Sequence, residues 1–149
     1  AGIAATATPT ATAGAGTDWV AVLTALDRER DQAFTTGDPT VLAEVYVADS
    51  PALAADVATL HQLVATSRLA RGLQLHINSV VALTRTPTDV TLRVHDTLDG
   101  YQLVSAGAGA GGAALPVAGR GDRTWLVALH AQAGDHSSAA WRIASITAS

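Results

Sequence analysis

The apolar positions of this chain change period once, near Gly72. Before it they recur every three to four residues, and after it they alternate with polar ones. The first spacing is that of helices with one buried face, the second that of strands covered on one side. Over residues 18–34, Trp19, Val22, Leu23, Leu26, Ala33 and Phe34 fall on one stripe, with Asp27, Arg28, Asp31 and Gln32 mostly off it. Asp18 is placed to cap this helix and Gly37 to end it. A second, short helix opens at Asp38-Pro39 and carries Val41, Leu42, Val45 and Tyr46. A third opens at Ser50-Pro51, presents Leu53, Val57, Leu60, Val64 and Leu69 as its buried face, and runs to Arg71, where Gly72 closes it. Proline suits both starts, because its missing N–H would be unpaired there in any case.

Beyond Gly72 the residues alternate as strands do. Leu73, Leu75 and Ile77 oppose Gln74, His76 and Asn78; Val90, Leu92 and Val94 oppose Thr91, Arg93 and His95. A strand from Tyr101 to Ser105 reads as the continuation of the previous one, hinged at Asp99-Gly100. Residues 106–121 read as a flexible loop or wide hairpin connection. Trp125, Val127 and Leu129 oppose Leu126, Ala128 and His130, and in the last strand Trp141 and Ile143 oppose Arg142, Ala144 and Ile146. Apolar side chains thus occur on both faces of the last two strands. Leu126, Ala128 and Ile146 are expected on an outer face that would meet a protein partner or a second copy of the chain. Helices followed by antiparallel strands predict an α+β fold, three N-terminal helices packed on one curved antiparallel sheet.

Composition narrows the setting. A chain of 149 residues is long enough to bury a core as a single domain, here 17–149. Cys is absent, which excludes disulfides and thiolate metal sites. All nine basic residues are Arg, scattered along a chain of net charge −4, so no basic face suggests nucleic acid. No uncharged run reads as the roughly 20 apolar residues of a membrane span. Residues 1–16, Ala, Thr, Gly and Pro with only one larger apolar residue, read as a disordered tether. With no Met anywhere, the chain reads as a mature or truncated product whose leader or anchor was removed. The expected location is extracytoplasmic, secreted or membrane-tethered.

The order of elements, together with Phe34-Thr35-Thr36-Gly37-Asp38 and Trp141-Arg142-Ile143-Ala144, resembles the nuclear-transport-factor-2-like superfamily over residues 17–147. That superfamily, a SnoaL-like or cystatin-like roll, includes ketosteroid isomerases, scytalone dehydratase and SnoaL-type polyketide cyclases. With the tether, the chain looks like an exported bacterial member. The resemblance implies a cone-shaped roll, its sheet wrapped around the long helix and enclosing an open-ended cavity. Members use that cavity for catalysis, for binding or only for packing, and no catalytic motif carries over residue by residue.

Several side chains are candidates for chemistry in such a cavity. Asp96 continues the inward face of Val90, Leu92 and Val94, where an apolar setting would raise its pKa and suit it to act as a base. The plainer reading is a strand-end Asp held by the turn at Leu98-Asp99-Gly100. Tyr46 and Tyr101 offer phenols to a polar ligand atom, and Trp125 offers a stacking wall. Arg120 and Arg123 would meet an anionic ligand, or form an ordinary solvated pair. His76, His95 and His130 share the outer face, and nothing in their spacing calls for a metal. The Gly-x-Gly-x-x-Gly run at 107–112 lacks the strand-to-helix context of a dinucleotide loop. No cofactor is implied.

Three readings follow. The first is a non-catalytic domain binding a small apolar ligand or a protein partner through its cavity or outer face. The second is a small isomerase or cyclase with Asp96 as base. The third is a purely structural dimerisation module.

Overall fold

The computed structural model describes residues 17–105, 114–132 and 141–149. The tether read over 1–16 and the glycine run at 107–112 lie outside them. The elements are α1 (Trp19–Thr36), a 3-10 helix (Pro39–Glu44), α2 (Pro51–Ala65), β1 (Arg68–Arg71), β2 (Leu75–Arg85), β3 (Asp89–Leu98), β4 (Tyr101–Ser105), β5 (Ala114–Val117), β6 (Arg120–Ala131) and β7 (Trp141–Ala148).

Local chemistry starts each helix where the sequence predicts. The Asp18 carboxylate accepts the Ala21 N–H at 3.1 Å, and Gly37, at φ 76°, returns its own N–H to the Ala33 carbonyl. Asp38 takes both the N–H and the hydroxyl of Thr40 ahead of Pro39, and Ser50 takes the Leu53 N–H ahead of Pro51. The predicted stripe of α1, from Trp19 to Phe34, is buried throughout and meets Leu42, Val45, Leu60, Val90, Leu92, Val94, Val127 and Leu129 in one core.

The third helix ends sooner than its sequence suggests. It stops at Ala65, where the Thr66 N–H and hydroxyl close onto the Gln62 and Leu63 carbonyls and Ser67 turns to φ 57°. Residues 68–71 form β1 instead, antiparallel to β4 from Arg68↔Ser105 to Arg71↔Gln102. A strand partner distant in sequence outweighs the local helical pattern. On α2, Leu60 alone is fully buried, while Val64, expected in the core, is 45% exposed.

The strands form two antiparallel sheets, β2-β3-β6-β7 and β1-β4-β5, rather than the single curved sheet expected, because β4 pairs with β1 and β5 and not with β3 or β6. The chain crosses between them three times, from β1 to β2 through Gly72-Leu73-Gln74, from β3 to β4 through Asp99-Gly100, the predicted hinge, and from β5 to β6 through Ala118-Gly119. The last two crossings touch. A Cβ on Gly119 would lie 2.4 Å from the Leu98 carbonyl oxygen and 2.8 Å from the Gly100 nitrogen, so only glycine fits. The loop expected over 106–121 is therefore partly strand: its last residues form β5, paired with β4, and the start of β6.

A register break in β7 settles the outer face. Ile143 pairs with Leu129 and Ile146 with Val127, leaving Ala144 as an extra residue between them. The bulge turns Ile143 and Ile146 to the same, inward side. Strict alternation had grouped Ile146 with Leu126 and Ala128 on the outer face, and the bulge removes it from that group. Strand β7 is itself covered along its free edge, because the Val47 N–H donates to the Ile143 carbonyl and the Ile143 N–H to Val45, each at 2.8 Å. Trp141 stands edge-on to Trp19, ring centroids 5.1 Å apart, and fastens β7 to the start of α1.

Candidate functional site

A cavity of about 390 Å³ opens between α1, α2 and the inner face of the four-stranded sheet, a volume in the range of small-molecule sites. Its walls are mostly apolar: Leu23 and Leu26 from α1, Val45 after the 3-10 helix, Ala52 and Ala55 from α2, and Ile77, Val94, Val127, Ile143 and Ile146 from the sheet. Trp125 supplies an aromatic wall. Six polar side chains interrupt this surface, in three groups.

In the first group, Arg30 bridges α1 to α2. Its Nε and Nη2 donate to the two oxygens of Asp56 at 2.6 and 3.0 Å, and the Tyr46 hydroxyl donates to the same carboxylate at 2.5 Å. Burial works against the charge on Arg30, but the Asp56 hydrogen bonds outweigh it and hold the guanidinium above its ordinary value. Burial pushes the Tyr46 phenol up, opposed by the nearby Arg30 charge. The trio is thus an ion pair with a neutral phenol donor.

In the second group, Arg120 Nη2 donates to Asp96 Oδ1 at 2.9 Å, and the Asp96 residue is only 3% exposed. Trp125 carries two guanidinium groups near its ring, Arg120 at 5.7 Å and Arg123 at 5.5 Å from the centroid.

The third is Asp27 by itself. One oxygen accepts the Leu75 N–H at 3.3 Å, and the other has no hydrogen-bond partner among the described residues. Burial raises this carboxyl above its ordinary 3.8, against the pull of the Leu75 N–H and of Arg30. Of the three cavity carboxylates, Asp56 and Asp96 are gripped by arginines and Asp27 is free to meet a ligand.

A scan against protein-family models finds no match, and a search of curated proteins finds no significant relative. Among solved structures the chain is similar to an uncharacterized protein with a cystatin-like fold from Caulobacter vibrioides, 17% identical, with a TM-score of 0.47 and covering 87% of this chain and 89% of that one.

The residues singled out in the sequence scatter differently. Asp96 does sit on the face of Val90, Leu92 and Val94, yet it is held by Arg120 rather than by the turn at Leu98-Asp99-Gly100. Tyr46 and Trp125 are in the cavity wall, the former with its hydroxyl committed to Asp56. Tyr101 does not line the cavity, because the chain has crossed at Gly100 into the smaller sheet, where the ring packs half-buried against the core. Trp19, Phe34 and Leu60 fill the core without filling the cavity. His76, His95 and His130 face three separate aspartates, Asp99 at 2.7 Å, Asp122 at 3.6 Å and Asp89 at 2.8 Å. Among the described residues no three potential metal ligands come together.

Sequence reading passed over Asp27, Arg30 and Asp56. The signal for two of them was present: Asp27 and Arg30 follow Leu23 at helical spacings of four and seven, so they continue a buried face. Asp56 carried none, since its role depends on how α2 lies across α1.

Proposed function

We propose that this chain is a ligand-binding domain of the nuclear-transport-factor-2-like kind, a cone-shaped roll whose cavity holds a small, mainly apolar molecule. The cavity of about 390 Å³ carries this reading. Its apolar walls supply affinity by excluding water, and Asp27 supplies one hydrogen-bonding group for orientation. Binding without turnover is favoured because Asp56 and Asp96 are each tied to an arginine, which leaves no relay of free acid and base. The composition of residues 1–16 supports placing the domain outside the cytoplasmic membrane. Native mass spectrometry of protein purified from its own host is the test. A retained small molecule supports the reading. A bare chain that no apolar compound stabilises overturns it.

One observation favours a second reading, an isomerase or cyclase. Asp27 combines an apolar setting, a carboxyl raised by burial and an open oxygen, features a general base uses, and so takes the place first considered for Asp96. Solvent deuterium entering next to the carbonyl of a cavity-bound ketone, and ceasing to enter with Asp27→Asn, would decide for it.

A further inference from the structure

Arg123 is the charge this site leaves over. It is the register partner of Asp96 and stands two residues before Trp125 on β6, so all three side chains point to the cavity side of the sheet. Its guanidinium lies 5.5 Å from the Trp125 ring centroid, at the rim of the wall that Trp125 forms. The two arginines that line the cavity each have a carboxylate: Arg30 has Asp56 and Arg120 has Asp96. Arg123 has no ion pair among the described residues, and it is exposed. The nearest acid in sequence, Asp122, is turned to His95. The planar guanidinium is held over an aromatic ring and donates to no other side chain or carbonyl among the described residues, the arrangement that suits two-pronged capture of a carboxylate or similar anion.

We propose that the ligand is an amphiphilic anion: an apolar body in the cavity and one anionic head bound at the rim by Arg123, with the Arg120–Asp96 pair beneath it. This rests on the ligand-binding reading and names the class of molecule. The head stays at the rim because the interior holds three carboxyl groups, Asp27, Asp56 and Asp96, against two arginines. A tail entering first runs along walls that are mostly Leu, Ile, Val and Ala side chains. A cationic or neutral head of equal length gains nothing from Arg123.

The test is titration calorimetry of the full chain with matched sets below their micelle concentrations: decanoate, decanol and decylammonium, then 2-naphthoate and 2-naphthol. The expected result is that the carboxylates bind roughly five- to tenfold more tightly than the alcohols, with the preference shrinking as salt is added. Arg123→Ala should abolish the preference while leaving decanol affinity unchanged, and Arg123→Glu should reverse it toward decylammonium. Because Arg123 is exposed, both variants should fold, which an unchanged far-ultraviolet dichroism spectrum would confirm. Equal binding of carboxylate and alcohol by the parent chain overturns this inference and leaves the cavity reading standing. A preference that survives Arg123→Ala also overturns it. Failure of every compound to bind removes the cavity reading itself.

Discussion

Arg30 holds Asp56 through two parallel hydrogen bonds of 2.6 and 3.0 Å, and this one pair ties the first helix to the helix that forms the opposite wall of the cavity. The pair matters more for position than for net stability. Two charges taken partly out of water regain little more than they lose, but removing one strands the other. Asp56→Ala should therefore cost about 2–4 kcal/mol in urea denaturation, since it orphans both Arg30 and the Tyr46 hydroxyl. Tyr46→Phe, which removes one hydrogen bond and keeps the ion pair, should cost about 1 kcal/mol. Equal losses in the two variants would refute the arrangement.

Asp27 gives the fold a pH dependence of definite sign. Its folded-state pKa lies above the ordinary 3.8, so the folded chain holds this proton more tightly than the unfolded one. The stabilisation is complete below about pH 3.8 and is lost as pH rises through the folded value. Asn can still accept the Leu75 N–H and carries no charge to desolvate. Asp27→Asn should raise the melting temperature at neutral pH and give no gain at acid pH. A difference that stays constant across that range would contradict the assignment.

The corner at Gly119 is a packing constraint between backbones, which cannot relax as a flexible side chain does. Gly119→Ala should cost about 2 kcal/mol or more, because its new Cβ falls 2.4 Å from the Leu98 oxygen. Gly121→Ala is the control: a Cβ there meets nothing within 4 Å, and the change should stay within about 0.5 kcal/mol. Chemical denaturation of the two variants side by side distinguishes them.

Filling the cavity separates binding from folding. Ala52 lies half-buried in the wall on α2. Ala52→Phe should occupy space that a ligand needs and weaken decanol binding by roughly tenfold or more, while stability stays level or rises. Unchanged decanol affinity would place the bound molecule elsewhere.

Much of the architecture was decided within a few residues of itself. Asp18, Asp38-Pro39 and Ser50-Pro51 start their helices because a side-chain oxygen satisfies N–H groups one turn ahead, a local bargain that needs no tertiary partner. The stripe from Trp19 to Phe34 and the alternation of Val90, Leu92 and Val94 likewise declare their buried faces through backbone period alone. Even the hinge at Asp99-Gly100 could be read there. What the sequence could not show depended on strand pairing or on helix crossing. Residues 68–71 are helical by pattern and become a strand because residues 102–105 offer a ladder. Ile146 belongs outside by alternation and lies inside because Ala144 bulges against Ala128 and Leu129. Asp96 reads as a turn-held strand end or a cavity base and is instead paired with Arg120, while Asp27 reads as surface and is the open carboxyl of the cavity. Periodicity assigns a face to each residue, and only the packing of distant segments decides which charges on that face find each other.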